Sequence, residues 1–166
     1  MKTLIVGLGN PILGDDGVGW KVAEELQKQL PEDAAMDVEC LSLGGIGLME
    51  HLIGYDRVII VDAFAMDAPV GSISVLKLSQ LPNYSAYHIT NMHDTSLQKA
   101  MELGREMGAH LPEDVMIVGV ATEHIHDFSE NLSSLVERAV PCVVNIVLDL
   151  LNEISKEDEN QGHSQG

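Results

Sequence analysis

Three side chains in this chain have the types and placements to do chemistry together: Asp16, Asp62 and His93. Asp16 belongs to the stretch Gly7-Leu-Gly9-Asn10-Pro-Ile-Leu-Gly14-Asp15-Asp16-Gly17-Val-Gly19, directly after an apolar strand pattern. Asp62 ends the run Val58-Ile-Ile-Val61, and His93 lies in Asn91-Met92-His93-Asp94, just before a helical pattern. Two carboxylates and an imidazole form an O,O,N donor set for a divalent transition metal. Three protein ligands leave coordination positions for water or substrate, as in catalytic rather than structural sites. A glycine-rich turn leading into a helix normally attracts an anion, through exposed N–H groups and the positive helix end. Asp15 and Asp16 place negative charge there instead, which disfavours a pyrophosphate and favours a cation. Two carboxylates facing one another without a cation raise each other's pKa; a cation keeps both ionised.

Each of the three also has a plainer role open to it. Asp16 could cap the helix that follows by accepting its free N–H groups. Asp62 could form an Asx turn at a strand end. A lone loop histidine such as His93 is usually solvated, and spacing alone does not bring the three together. A second polar cluster, Glu123-His124-Ile-His126, follows the last strand pattern; it could bind metal, remain a polar loop or, the preferred expectation, line the same cleft. His88 could reach the same mouth, and His163 is expected to be solvated. The third glycine of a dinucleotide fingerprint would fall at position 12, which is Ile12. Neither a G-x-S-x-G elbow nor an H-E-x-x-H helix is present.

The elements that must position these groups follow from apolar periodicity. Residues 4–8, 36–43, 57–61 and 115–120 read as strands, and residues 17–30, 48–53, 95–110 and 132–154 as helices, the last interrupted or restarted near Pro141. The 95–110 helix should turn Leu97, Met101 and Met107 inward. Residues 72–78 follow too short a connection for a crossover helix and are expected to form an antiparallel edge strand. The order gives an α/β three-layer sandwich: a twisted, mostly parallel sheet of about five strands with helices on both faces. Ligands in such sheets bind outside the carboxyl ends of the strands. One domain over residues 1–155 is expected, with residues 156–166 a disordered polar tail. Nine Lys and Arg against 26 Asp and Glu give a net charge of −17, which argues against a nucleic-acid partner. Hydrophobic residues make up 45% of the chain, yet no apolar run reaches membrane-spanning length. Cys40 and Cys142, without C-x-x-C spacing, are expected to be buried and reduced, in a cytoplasmic protein.

The long opening motif, then Ile59-Ile-Val-Asp62-Ala63, then His93 before a helix, resemble the nickel–iron hydrogenase maturation endopeptidases, from Met1 to about Leu151. The resemblance implies an α/β sandwich acting as a hydrolase, a metal-dependent endopeptidase of aspartyl type. Such an enzyme removes the C-terminal extension of a hydrogenase large-subunit precursor after nickel insertion. It implies metal contacts and catalytic roles for Asp16, Asp62 and His93. The nickel would be carried by the substrate, and another divalent metal could substitute in the isolated protein. The alternative is a nickel-binding maturation factor without catalysis. Two loops depart from the family pattern. Leu43-Gly44-Gly45-Ile46 stands where Asp-Gly-Gly-Thr is common, and Ala121-Thr122 where Gln-Pro or Glu-Pro is common. Ile12, Leu13, Met92 and Phe128 are candidates for the docking surface.

Overall fold

The computed structural model describes residues 1–32, 35–82, 84, 95–123 and 127–163, the backbone alone at 161 and 163. Five strands form one sheet: β1 (Thr3–Leu8), β2 (Met36–Leu41), β3 (Arg57–Phe64), β4 (Ile73–Lys77) and β5 (Asp114–Ala121). Four helices flank it: α1 (Val18–Gln29), α2 (Gly45–Leu52), α3 (Leu97–Glu106) and α4 (Ser134–His163). The sheet order is β2-β1-β3-β5-β4. All pairings are parallel except β4 with β5, which is antiparallel, as the short connection after β3 required.

The continuous apolar runs of β1 and β3 are explained by burial on both faces. Leu4, Val6, Leu8, Val58, Ile60 and Phe64 enter the core under α2 and α3. Their alternates Ile5, Ile59 and Val61 pack with Val18, Val22 and Leu26 of α1 and Val143 and Val147 of α4. Strand periodicity of two thus divides one sequence run between two cores. α1 sits unusually close to the sheet. A Cβ on Gly7 would lie 2.2 Å from the Gly19 carbonyl oxygen, and one on Gly19 would lie 2.4 Å from the Val61 carbonyl oxygen.

Several expectations are corrected. α4 runs through Pro141 without interruption. Proline removes one backbone N–H and is costly inside a helix, but Val136, Val143, Val144, Val147 and Leu151 are buried along one side and hold the helix together. Residues 156–163, expected to be a disordered tail, continue that helix. Arg57 anchors it, donating to Asp158 Oδ1 at 2.9 Å and to the Ile154 carbonyl at 3.5 Å. Met107 lies just past the end of α3 and is exposed, and Cys142 is exposed on α4. Among the described residues, no helix is long and apolar enough to cross a membrane.

Candidate active site

In this sheet the chain after β1 turns through α1 toward β2, while the chain after β3 goes the other way, toward β4 and β5. The carboxyl ends of β1 and β3 are therefore a topological switch point, where open α/β sheets place ligands. Gly7 of β1 is in register with Val61 of β3, the residue before Asp62. Residues Gly14–Gly17 form a short 3-10 turn that carries Asp15 and Asp16 into α1 and packs on β3. Gly9 makes this possible: its φ is +140°, and a Cβ there would lie 2.0 Å from the Asp16 carbonyl oxygen.

The two neighbouring aspartates have different surroundings. Asp15 is buried, and its carboxylate accepts the Ser133 backbone N–H at 2.6 Å and the Ser133 hydroxyl at 2.8 Å. Ser133 in turn opens α4, its carbonyl accepting the Glu137 N–H. Asp15 thus sits as an anion at the start of a long helix, where the helix dipole favours negative charge. Asp16 is half-buried, and its Oδ2 accepts the Asn10 N–H at 2.8 Å, back across the turn.

Asp62 is fully buried and lies inside β3, which continues to Phe64, rather than at the strand's end. Its Oδ2 accepts the phenol of Tyr84 at 2.9 Å. Tyr84 is itself 1% exposed. Burial, then the charge of Asp62 and their hydrogen bond, push the phenol well above the usual tyrosine range, so it stays a proton donor. Phe64 meets the Tyr84 ring edge-on, centroids 6.2 Å apart. Gly119, opposite Asp62 on β5, leaves the space that the Phe64 ring fills; a Cβ there would lie 2.5 Å from the ring.

Asp16, in the turn after β1, and Asp62, near the carboxyl end of β3, therefore lie on the same side of the sheet's switch point. His93, with His88, Met92, His124 and His126, lies outside the described residues. The described residues on either side of the His93 segment are tied to this edge. Tyr84 reaches Asp62, and the Thr95 carbonyl lies 2.8 Å from where a Cβ on Gly45, at the start of α2, would sit. Two carboxylates, one from a strand and one from the turn after its neighbour, are hard oxygen donors that suit a divalent cation. Among the described residues no three His, Cys, Asp or Glu side chains gather into a metal-sized group. Ile12 and Phe128 are exposed and their segments adjoin, the Ser129 N–H donating to the Ile12 carbonyl; Leu13 is half-buried. Glu123 is exposed where the chain leaves β5.

Sequence reasoning missed Tyr84, Asn10 and Ser133. Asn10 adjoins the glycines and so carried a local signal. Tyr84 and Ser133 act on acids 22 and 118 residues away, a distance at which spacing is silent.

Fold and site together define a three-layer α/β protein with two aspartates beside a strand switch point. The sequence matches the HycI hydrogenase maturation protease family over residues 20–150. The chain belongs to the hydrogenase maturation proteases. It is 30% identical to a putative hydrogenase maturation protease of Methanocaldococcus jannaschii, over 87% of this chain and 93% of that one. It is 25% identical to the hydrogenase expression/formation protein HoxM of Azotobacter vinelandii, over 90% of this chain and 72% of HoxM. Among solved structures, the hydrogenase maturating endopeptidase HybD from E. coli superposes with a TM-score of 0.75 at 24% identity, covering 92% of this chain and 93% of that one. The hydrogenase 2 maturation peptidase from Thaumarchaeota archaeon SCGC_AB-539-E09 gives 0.68 at 27% identity, covering 92% and 99%.

Proposed function

We propose that this protease removes the C-terminal extension of a nickel–iron hydrogenase large-subunit precursor once nickel is in place, and that the nickel it recognises is part of the substrate. The observation that carries the reading is the placement of Asp16 and Asp62 at the β1–β3 switch point of a chain in this family. Asp16, Asp62 and His93 complete the coordination of the precursor's metal, which brings the scissile peptide to the rim. A divalent metal polarises a carbonyl or a water. The water oxygen bonds to the scissile carbonyl carbon, the C–N bond breaks and the leaving amine takes a proton. Whichever aspartate keeps an oxygen clear of the metal accepts the water's proton as general base.

The exposed Ile12, in the stretch between β1 and Asp16, and the adjoining Phe128 are where the precursor docks. The reaction belongs in the cytoplasm, where exposed thiols such as Cys142 stay reduced.

The test is incubation of the protein with nickel-loaded and nickel-free precursor, read by mass. Shortening of the loaded precursor alone is expected. Equal cleavage of both overturns the substrate-metal reading, and an unchanged length of both leaves a nickel-binding factor without catalysis. His93→Ala should stop processing while the melting temperature stays within a few degrees of wild type; normal clipping by that variant removes His93 from the mechanism.

A further inference from the structure

We propose that Tyr84 is a positioning residue for Asp62: by donating to Oδ2 it fixes the orientation in which the carboxylate meets the substrate's metal. The inference rests on the reading under Proposed function, in which Asp62 contacts that metal. A carboxylate on a strand has a broad, soft terminal torsion. A phenol at 2.9 Å from one oxygen selects one orientation of it and leaves the other oxygen's direction set by the same bond.

The phenol is held from several directions. Phe64, two residues after Asp62 on the same strand, lays its ring against the Tyr84 ring at 60°. Gly119, facing Asp62 across the β3–β5 ladder, gives that ring its room. The Tyr84 backbone N–H donates to Gln98 Oε1 on α3 at 3.3 Å, and the Gln98 amide donates to the Leu81 carbonyl at 2.6 Å. Tyr84 thus links β3 to α3 through groups that are nearly all buried. Such outer hydrogen bonds orient metal-contacting groups, and their removal typically costs about 10- to 100-fold in affinity or activity.

Tyr84→Phe keeps the ring and removes the donor. In the full-length protein, kcat on nickel-loaded precursor should fall about 10- to 100-fold, and KM should rise as the grip on the precursor's metal loosens. Affinity for Ni2+ in a calorimetric titration should weaken in parallel, while circular dichroism stays that of wild type. Wild-type kcat and wild-type Ni2+ affinity in a folded Tyr84→Phe would overturn the proposal. Should Tyr84→Phe fail to fold, Phe64→Leu keeps the phenol and loosens its mount. A smaller fall in kcat is then expected, and none overturns the proposal. Asp62→Asn runs beside them. If it processes precursor normally, the functional reading of Asp62 fails first; if it is inactive and Tyr84→Phe is wild type, only the role of Tyr84 is lost.

Discussion

Asp15 and Asp16 are adjacent, yet their carboxylates serve opposite ends of the architecture. Asp15 turns inward to Ser133, the residue just before α4, and Asp16 stays half-buried. A charged acceptor at a helix start, taking two donors, contributes about 2 kcal/mol. Asp15→Ala strands both Ser133 donors, so the melting temperature should drop by about 4–8 °C for a chain of this size. Asp15→Asn keeps one acceptor oxygen and should lose roughly half as much. Calorimetric melting of both variants checks this, and an unmoved melting temperature in Asp15→Ala would show that water satisfies Ser133 equally well. Asp16→Asn keeps an oxygen to accept the Asn10 N–H, so precursor processing should stop while the melting temperature falls less than in Asp15→Ala. The sequence marked both residues as unusual but held no sign of which was structural, since the distinguishing partner is 118 positions away.

The contact between β1 and α1 shows how an element's placement depends on missing atoms. A Cβ on Gly19 would meet the Val61 carbonyl oxygen at 2.4 Å and the Leu8 carbonyl oxygen at 2.5 Å, both backbone atoms of the sheet. Neither can rotate away, so Gly19→Ala must lift α1 and the turn bearing Asp16. A cost of about 3 kcal/mol is expected, read as a lower urea midpoint together with slower processing. Gly47, in α2, is the control: the nearest atoms to its Cβ would be 3.8 Å away, in ordinary contact. Helix propensity then favours Gly47→Ala by up to about 1 kcal/mol, and its midpoint should rise. Equal effects at both sites would refute the close-approach argument. The elements themselves were legible because each buries a periodic face, and the β4 edge was legible because the eight residues 65–72 cannot make a crossover. What escaped was decided by tertiary contact. The Pro141 break lost to a long row of buried valines, and the polar 156–163 segment lost its freedom to Arg57. Nothing local to Tyr84 signals that it reaches a buried acid 22 positions away.

At the scale of the whole molecule the dominant fact is a net charge of −17 on 166 residues. A folded chain of this length has a radius of gyration of about 15 Å. At about 10 mM salt the Debye length is about 30 Å, so every acidic group feels nearly every other; at 150 mM it is about 8 Å and most of that repulsion is screened. Opposing this are the ion pairs, which salt also weakens. Most are exposed, such as Lys28 with Glu25 and Lys99 with Glu102, and exposed pairs contribute little. Arg57 with Asp158 is better shielded from solvent and is screened less. Repulsion therefore outweighs pairing, and added salt should stabilise the fold. Raising NaCl from about 10 to about 150 mM should lift the melting temperature by a few degrees, equivalent to about 1–2 kcal/mol. The rise should flatten beyond about 0.5 M, once the Debye length is shorter than typical charge spacings. Melting in a salt series checks this directly. A melting temperature that falls with salt would mean the ion pairs govern the balance, and Arg57→Met would then be expected to abolish the dependence.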